Sequence, residues 1–130
     1  MAFTPSEQEF LRQQPIGRLC TMGGAGDPQI RPVGVHLSSD GATIDVVGHA
    51  LASTQKWRNV IGNPRVAFIV DEVISVKPPR AHGIEVRGTA QVMPGQGSTD
   101  GRLSGDIIRI TPHRIISWGI DGPQTRGRGA

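Results

Sequence analysis

The sequence predicts a mostly β domain: a closed or partly closed antiparallel barrel of six short strands with two small helices. Three observations predict it. Short apolar runs rich in Val and Ile recur along the chain, separated by turns that contain Gly or Pro. Helical patterns occur only twice and do not alternate with the strands, which argues against α/β layering. Aromatic residues are scarce, at 4% with no Tyr, so aliphatic side chains must fill the core. A chain of 130 residues suffices for one domain and one modest core. That domain is expected over residues 1–122, followed by a mobile tail at 123–130.

The opening "FTPSEQEFLRQQP" is a helix with its start written in. Thr4 caps it, Pro5 takes the first position and Glu7 closes a capping box. Phe10 and Leu11 supply its apolar face, and Pro15 ends it. "IGRLCTM" (16–22) and "QIRPVGVHL" (29–37) read as strands joined by the turn-rich "GGAGDP". Asp40-Gly41 is a hairpin signal before the third strand, "ATIDVVG" (42–48). In "STQKWRNVIGNP", Trp57, Val60 and Ile61 fall at helical spacing, so residues 54–62 form a short second helix. Ser53 is its expected N-cap, and Gly62-Asn63-Pro64 its stop. "RVAFIV" (65–70) is apolar on both faces, as a buried strand would be. A polar, Pro-rich connection (71–81) leads to "GIEVRGTAQV" (83–92), where apolar and polar residues alternate. "DIIRITPHRIISWG" (106–119) makes the sixth strand, bent at Pro112.

Several function classes are excluded by what is missing. Cys20 stands alone, so no internal disulfide and no cysteine zinc cage can form, and it reads as a small buried residue of the first strand. His36, His49, His82 and His113 lie in different elements without metal-ligand spacing. No nucleophile elbow, P-loop or paired catalytic carboxylates stand out, and no residue is assigned as catalytic. The net charge of +3 favours an anionic partner, but the basic residues are spread out and exposed aromatics are few, which argues against nucleic acid. The opening residues have no apolar h-region, so no leader peptide is expected, and no apolar run approaches the roughly 20 residues of a membrane span. A cytoplasmic protein without membrane contact is expected.

One local pattern is out of place. The second helix carries Lys56 and Arg58 in its first turns, at the end where a helix bears about half a positive charge. Either both cations face solvent, or an outside anion meets them together with the helix N–H groups and the Ser53 and Thr54 hydroxyls. The local pattern alone does not decide.

The run "KWRNVIGNPRVAF", with "GIEVRGTAQV" downstream, resembles the pyridoxamine 5′-phosphate oxidase-like superfamily of flavin and deazaflavin proteins. So does the opening helix followed by "GRLCTMGGAGDPQIRPVGV", and the closing "ITPHRIISWGI" is similar to an F420-dependent subgroup. The resemblance runs in order over residues 4–120. It implies a split β-barrel of the FMN-binding type and a homodimer with two cofactor sites at the subunit interface. Ser53, Thr54, Lys56 and Arg58 would bind the cofactor phosphate, with Asn59 nearby, and Arg31, Pro32 and Val33 would set backbone groups against the ring's polar edge. The family often has a Trp before "RGIEVRG"; this chain has "VKPPRAHGIEVRG" instead, where Arg80 can keep a basic role. Arg80, His82 and Trp118 are the expected contacts to substrate or second subunit. The implied cofactor is coenzyme F420, with FMN as the alternative. The implied activity is an F420H2-dependent reductase moving hydride to an unsaturated small-molecule acceptor. An FMN-dependent oxidoreductase and a non-enzymatic cofactor carrier are the alternatives. F420 continues past its phosphate into a lactyl-oligoglutamate tail, for which Arg80, Arg126 and Arg128 offer positive charge.

Overall fold

A computed structural model of the protein describes residues 2–130. The chain runs through α1 (Pro5–Gln13), β1 (Ile16–Met22), β2 (Pro28–Leu37), β3 (Ile44–Val47), a 3-10 turn (Leu51–Ser53), α2 (Gln55–Gly62), β4 (Arg65–Ser75), β5 (Arg80–Met93), β6 (Ile107–Trp118) and β7 (Arg126–Gly129). Strand neighbours follow the order β3-β2-β1-β4-β5-β6-β7, and β3 also pairs with β6. Strands β1 to β6 thus close into an antiparallel barrel, as the sequence predicts, with β7 as an added strand outside the closure.

The barrel forms because its strands alternate. On β1, Gly17, Leu19 and Thr21 point inward while Ile16, Arg18, Cys20 and Met22 point out. On β4, Val66, Phe68 and Val70 enter the core. Cys20 is therefore half-buried on the outer face, since its neighbours Leu19 and Thr21 already take the inner positions. The capping box of α1 is as its sequence dictates: the Glu7 N–H donates to Thr4 Oγ1 and the Thr4 N–H to Glu7 Oε1. Phe10 and Leu11 of that helix join the barrel core.

Strand β6 explains how the barrel both closes and opens. Its first half pairs with β3, Ile108 to Ile110 against Val46 to Ile44. Arg109 fastens this seam with two hydrogen bonds to Asp45, at 2.9 and 3.0 Å. Beyond it, Gly88 of β5 lies opposite Pro112 and Arg87 opposite Arg114, leaving His113 as the extra residue of a bulge. A Cβ on Gly88 would collide with the Thr111 carbonyl, so only glycine allows this approach. Past the bulge, the edge of β6 that served β3 takes β7 instead, with Arg114 to Ser117 opposite Gly129 to Arg126.

Two regions differ from the sequence reading. The connection at 71–81 belongs mostly to strands: β4 continues to Ser75 and β5 begins at Arg80, forming one long hairpin. Its outer part leaves Val73, Ile74 and Val76 exposed, so the period-two signal of burial was absent there. The tail beyond Gly122 is not a free end. Arg128 on β7 donates to both carboxylate oxygens of the fully buried Glu7 and to the Ala2 carbonyl, tying the last strand to the first helix. No local pattern announces a contact made 121 positions away.

Candidate cofactor site

The site starts from α2. Its N-cap is Thr54, one residue later than expected: Thr54 Oγ1 accepts the Trp57 N–H and donates to the Leu51 carbonyl at 2.6 Å. Ser53 instead ends the preceding 3-10 turn and is exposed. Trp57 and Val60 are buried in the barrel core, whereas Ile61 remains 63% exposed. The third buried residue of the helix is polar. Asn59 donates through Nδ2 to Thr21 Oγ1 and Gln29 Oε1, both at 2.9 Å, and its Oδ1 accepts from Gln55 Nε2. Asn59 is thereby committed to holding α2 against β1 and β2, and acts on a ligand only through what it positions.

Register then decides where Arg31 goes. Residues directly opposite in an antiparallel pair share a face. Leu19 faces Arg31 and Thr21 faces Gln29, so both β2 side chains follow the inner face of β1 toward α2. Val33 lies on the same face, deeper, and is core. Pro32 alternates to the other side, opposite Arg18. The result is a cavity of about 490 Å³ lined by Arg31, Pro32 and Gln29 from β2, Leu19 and Thr21 from β1, and Thr54, Gln55 and Lys56 from the start of α2.

This cavity concentrates positive charge. Burial, and next the nearby Arg31 charge, hold the Lys56 ammonium below the usual lysine range. Neither Arg31 nor Lys56 takes part in an ion pair among the described residues. Two cations drawn together at a helix N-terminus, beside a threonine hydroxyl, form a set whose own repulsion an anion relieves. These residues fit a phosphate.

The other expected site residues are dispersed. Arg58 turns to the far side of Gln55, donating to the Ser53 carbonyl at 3.1 Å and to Gln55 Oε1 at 2.9 Å. It lines a separate cavity with the β1–β2 turn. His82 donates through Nε2 to Glu72 Oε1 at 2.8 Å and meets the Phe10 ring edge-on at 4.6 Å, beside α1. Arg80 is exposed at the start of β5, and the half-buried Trp118 lies over Gly83. Within one chain, none of Arg80, His82 and Trp118 lines the Lys56 cavity. A further cavity of about 550 Å³ lies on the outer face of β1, β4 and β5, lined by residues such as Cys20, Ala67, Arg87, Thr89 and His113. Sequence reasoning missed Gln29, Thr21 and Gln55. The alternation of β2 carried a signal for Gln29, since it shares a face with Arg31 and Val33.

Residues 3–119 match the pyridoxamine 5′-phosphate oxidase family. The chain is 38% identical over 128 residues to the 5a,11a-dehydrotetracycline/5a,11a-dehydrooxytetracycline reductase of Streptomyces rimosus subsp. rimosus, covering 98% of this chain and 90% of that protein. Among solved structures, the conserved hypothetical protein Rv2991 from Mycobacterium tuberculosis superposes with a TM-score of 0.71 at 19% identity, over 89% of this chain and 84% of that one. A protein described as an F420 reductase gives a TM-score of 0.62 at 24% identity, over 86% and 98%. At these identities the two structures speak for the fold. With a family match over nearly its whole length and a full-length relative at this identity, the chain belongs to the pyridoxamine 5′-phosphate oxidase family.

Proposed function

We propose that the protein is a reductase that binds coenzyme F420 and passes hydride to an activated double bond of a small molecule. Its similarity to a reductase supports an oxidoreductase. The observation that carries the finer reading is the Arg31–Lys56 pair: two adjacent cations under a threonine-capped helix start, in a cavity open to a phosphate-bearing ligand. When bound, a deazaflavin supplies two-electron hydride chemistry and reacts poorly with oxygen.

The chain's own contribution is binding and orientation. Arg31 and Lys56 fix the phosphate end, and the Thr54 region adds backbone donors. The Thr21–Asn59–Gln29 network holds α2 at a set distance from β2, which fixes the spacing of the two cations. A ring lying along β2 from that anchor would have its polar edge against strand backbone, and proximity would supply most of the rate. We place a second copy of the chain across the outer face of β4 and β5, where it would bring Arg80, His82 or Trp118 to its partner's cavity. The acceptor we favour is a conjugated ring system, by relation to the dehydrotetracycline reductase.

FMN is the second reading. The same cation pair fits a flavin phosphate, and the family is described by an oxidase. Titrating purified protein with F420 and with FMN, followed by absorbance, separates the two. Tighter binding of F420, with turnover of F420H2 on an unsaturated polyketide-type acceptor, is the expected result. Tighter binding of FMN with turnover on FMN would establish the second reading instead.

A further inference from the structure

We propose that the outer face of the barrel carries a second ligand site, at the β6 bulge, which takes a small organic anion: an apolar body bearing one carboxylate. This site uses residues other than those of the cofactor cavity, and it holds whichever cofactor that cavity takes.

The bulge makes the site. On a regular strand, His113 and Arg114 would point to opposite faces. His113 is the extra residue between the Gly88–Pro112 and Arg87–Arg114 pairs, so the alternation breaks there. Arg114 falls on the face of Arg87, and His113 turns to the same side, its Nε2 3.1 Å from Thr89 Oγ1. The end of the chain holds this bend, because the Ala130 N–H donates to the His113 carbonyl at 2.9 Å. Arg65 arrives from β4, opposite Thr89. Arg65, Arg87 and His113 thus line one cavity of about 550 Å³.

Charge and floor together name the ligand. Among the described residues no acid lines this cavity. Glu85, on the same face of β5, accepts from Arg87 Nε at 2.7 Å and leaves the other guanidinium N–H groups over for a carboxylate. Arg65 and Arg114 form no ion pair among the described residues. Arg114 also stands directly opposite Arg87, a like-charge pairing that weakens a sheet and that a nearby anion relieves. Cys20 and Ala67, opposite each other on β1 and β4, supply an apolar floor with Met22. A bare phosphate would leave that floor wet, whereas an apolar carboxylate covers it, and the volume suits a small molecule. Register sets Gly83 and Trp118 beside Asp71, about 20 Å along β4 from Arg65. A second copy seated around Trp118 therefore lies at the other end of this face.

The test is calorimetric titration of the purified protein with naphthoate, with its neutral counterpart naphthylmethanol, and with inorganic phosphate. Naphthoate should bind about tenfold or more tightly than either of the others. Arg65→Gln should weaken it about tenfold, the effect of one lost charge-assisted hydrogen bond. Ala67→Leu, which fills the floor from the outer face, should abolish binding. Both variants should keep the wild-type urea midpoint and the wild-type affinity for F420 or FMN, and Lys56→Ala should leave naphthoate binding unchanged. Loss with Lys56→Ala but not with Arg65→Gln would put the anion in the cofactor cavity and overturn the proposal. So would equal binding of the alcohol or of phosphate, or no binding of naphthoate at millimolar concentration. Dissociation into monomers on binding, followed by light scattering, would make the cavity a contact between copies and overturn it as well.

Discussion

The two helices of this protein begin alike and are charged in opposite ways. Both are capped by threonine, Thr4 for α1 and Thr54 for α2. In α1 the first turn holds Glu7 and the last turn Arg12, each opposing the helix dipole. In α2 no acid lies in the first turn and no base in the last, and Lys56 and Arg58 occupy the positive end. The start of α1 is complete within the chain: Thr4, Arg128 and Ala2 close around Glu7. The start of α2 gathers Arg31 and Lys56 with no acid paired to them among the described residues. One helix start is built for stability, and the other leaves its electrostatics to be completed from outside.

The largest expected effect breaks the completed side. Arg128→Ala leaves Glu7 buried without its cation. Removing one member of a fully buried pair costs about 3–5 kcal/mol, and because Arg128 is 36% exposed we expect about 2–3 kcal/mol in urea unfolding. The pH dependence should change with it. Burial pushes the Glu7 carboxyl up, but the hydrogen bonds from Arg128, Thr4 and Ser117 and the Arg128 charge outweigh it, so its folded value lies below 4.5. A lowered folded value means that the contribution is complete above 4.5 and is lost as pH falls through that lower value. Wild type should therefore lose stability on acidification more steeply than Arg128→Ala. Equal acid limbs would show that the pair does not stabilise the fold.

Next comes the incomplete side. Lys56→Ala should weaken cofactor binding by about 1.5–3 kcal/mol by titration. Its effect on urea unfolding of the ligand-free protein should stay within about 0.5 kcal/mol. Destabilisation comparable to that of Arg128→Ala would erase the contrast between the two helix starts.

A smaller effect comes from giving α2 what α1 already has. Ser53→Asp adds an acid at the exposed residue before the cap. It should stabilise the ligand-free protein by about 0.3–1 kcal/mol while weakening cofactor binding. An increase in affinity would mean that this helix end does not face an anion.

The smallest signal is a fraction of a proton. The Lys56 value is lowered in the ligand-free protein, so its charged form costs stability there, and stability should rise as pH climbs through that value toward 10.5. A bound phosphate restores the charge. Binding at alkaline pH should therefore take up protons, detectable by calorimetry in buffers of different ionisation enthalpy, and Lys56→Ala should abolish the uptake.

The sequence by itself determined the local elements. The capping box at Thr4, the stop at Asn63 and the alternation of "IGRLCTM" are short-range patterns, and the structure keeps them. The order of the six barrel strands along the chain follows from the same signals, as does the burial of Trp57. The odd charge of α2 was also visible, because a helix dipole acts within one turn. Tertiary structure alone decided which charges meet. Arg31 reaches Lys56 because the β1–β2 register puts it on the face of Leu19, and Asn59 is spent because α2 lies over Thr21 and Gln29. The seventh strand exists because β6 bends at His113 and frees an edge for it. Glu7 is buried because that strand delivers Arg128 to it. Periodicity records which side of its own element a residue occupies. What stands on that side is set by pairings between distant segments, and those leave no trace in local sequence.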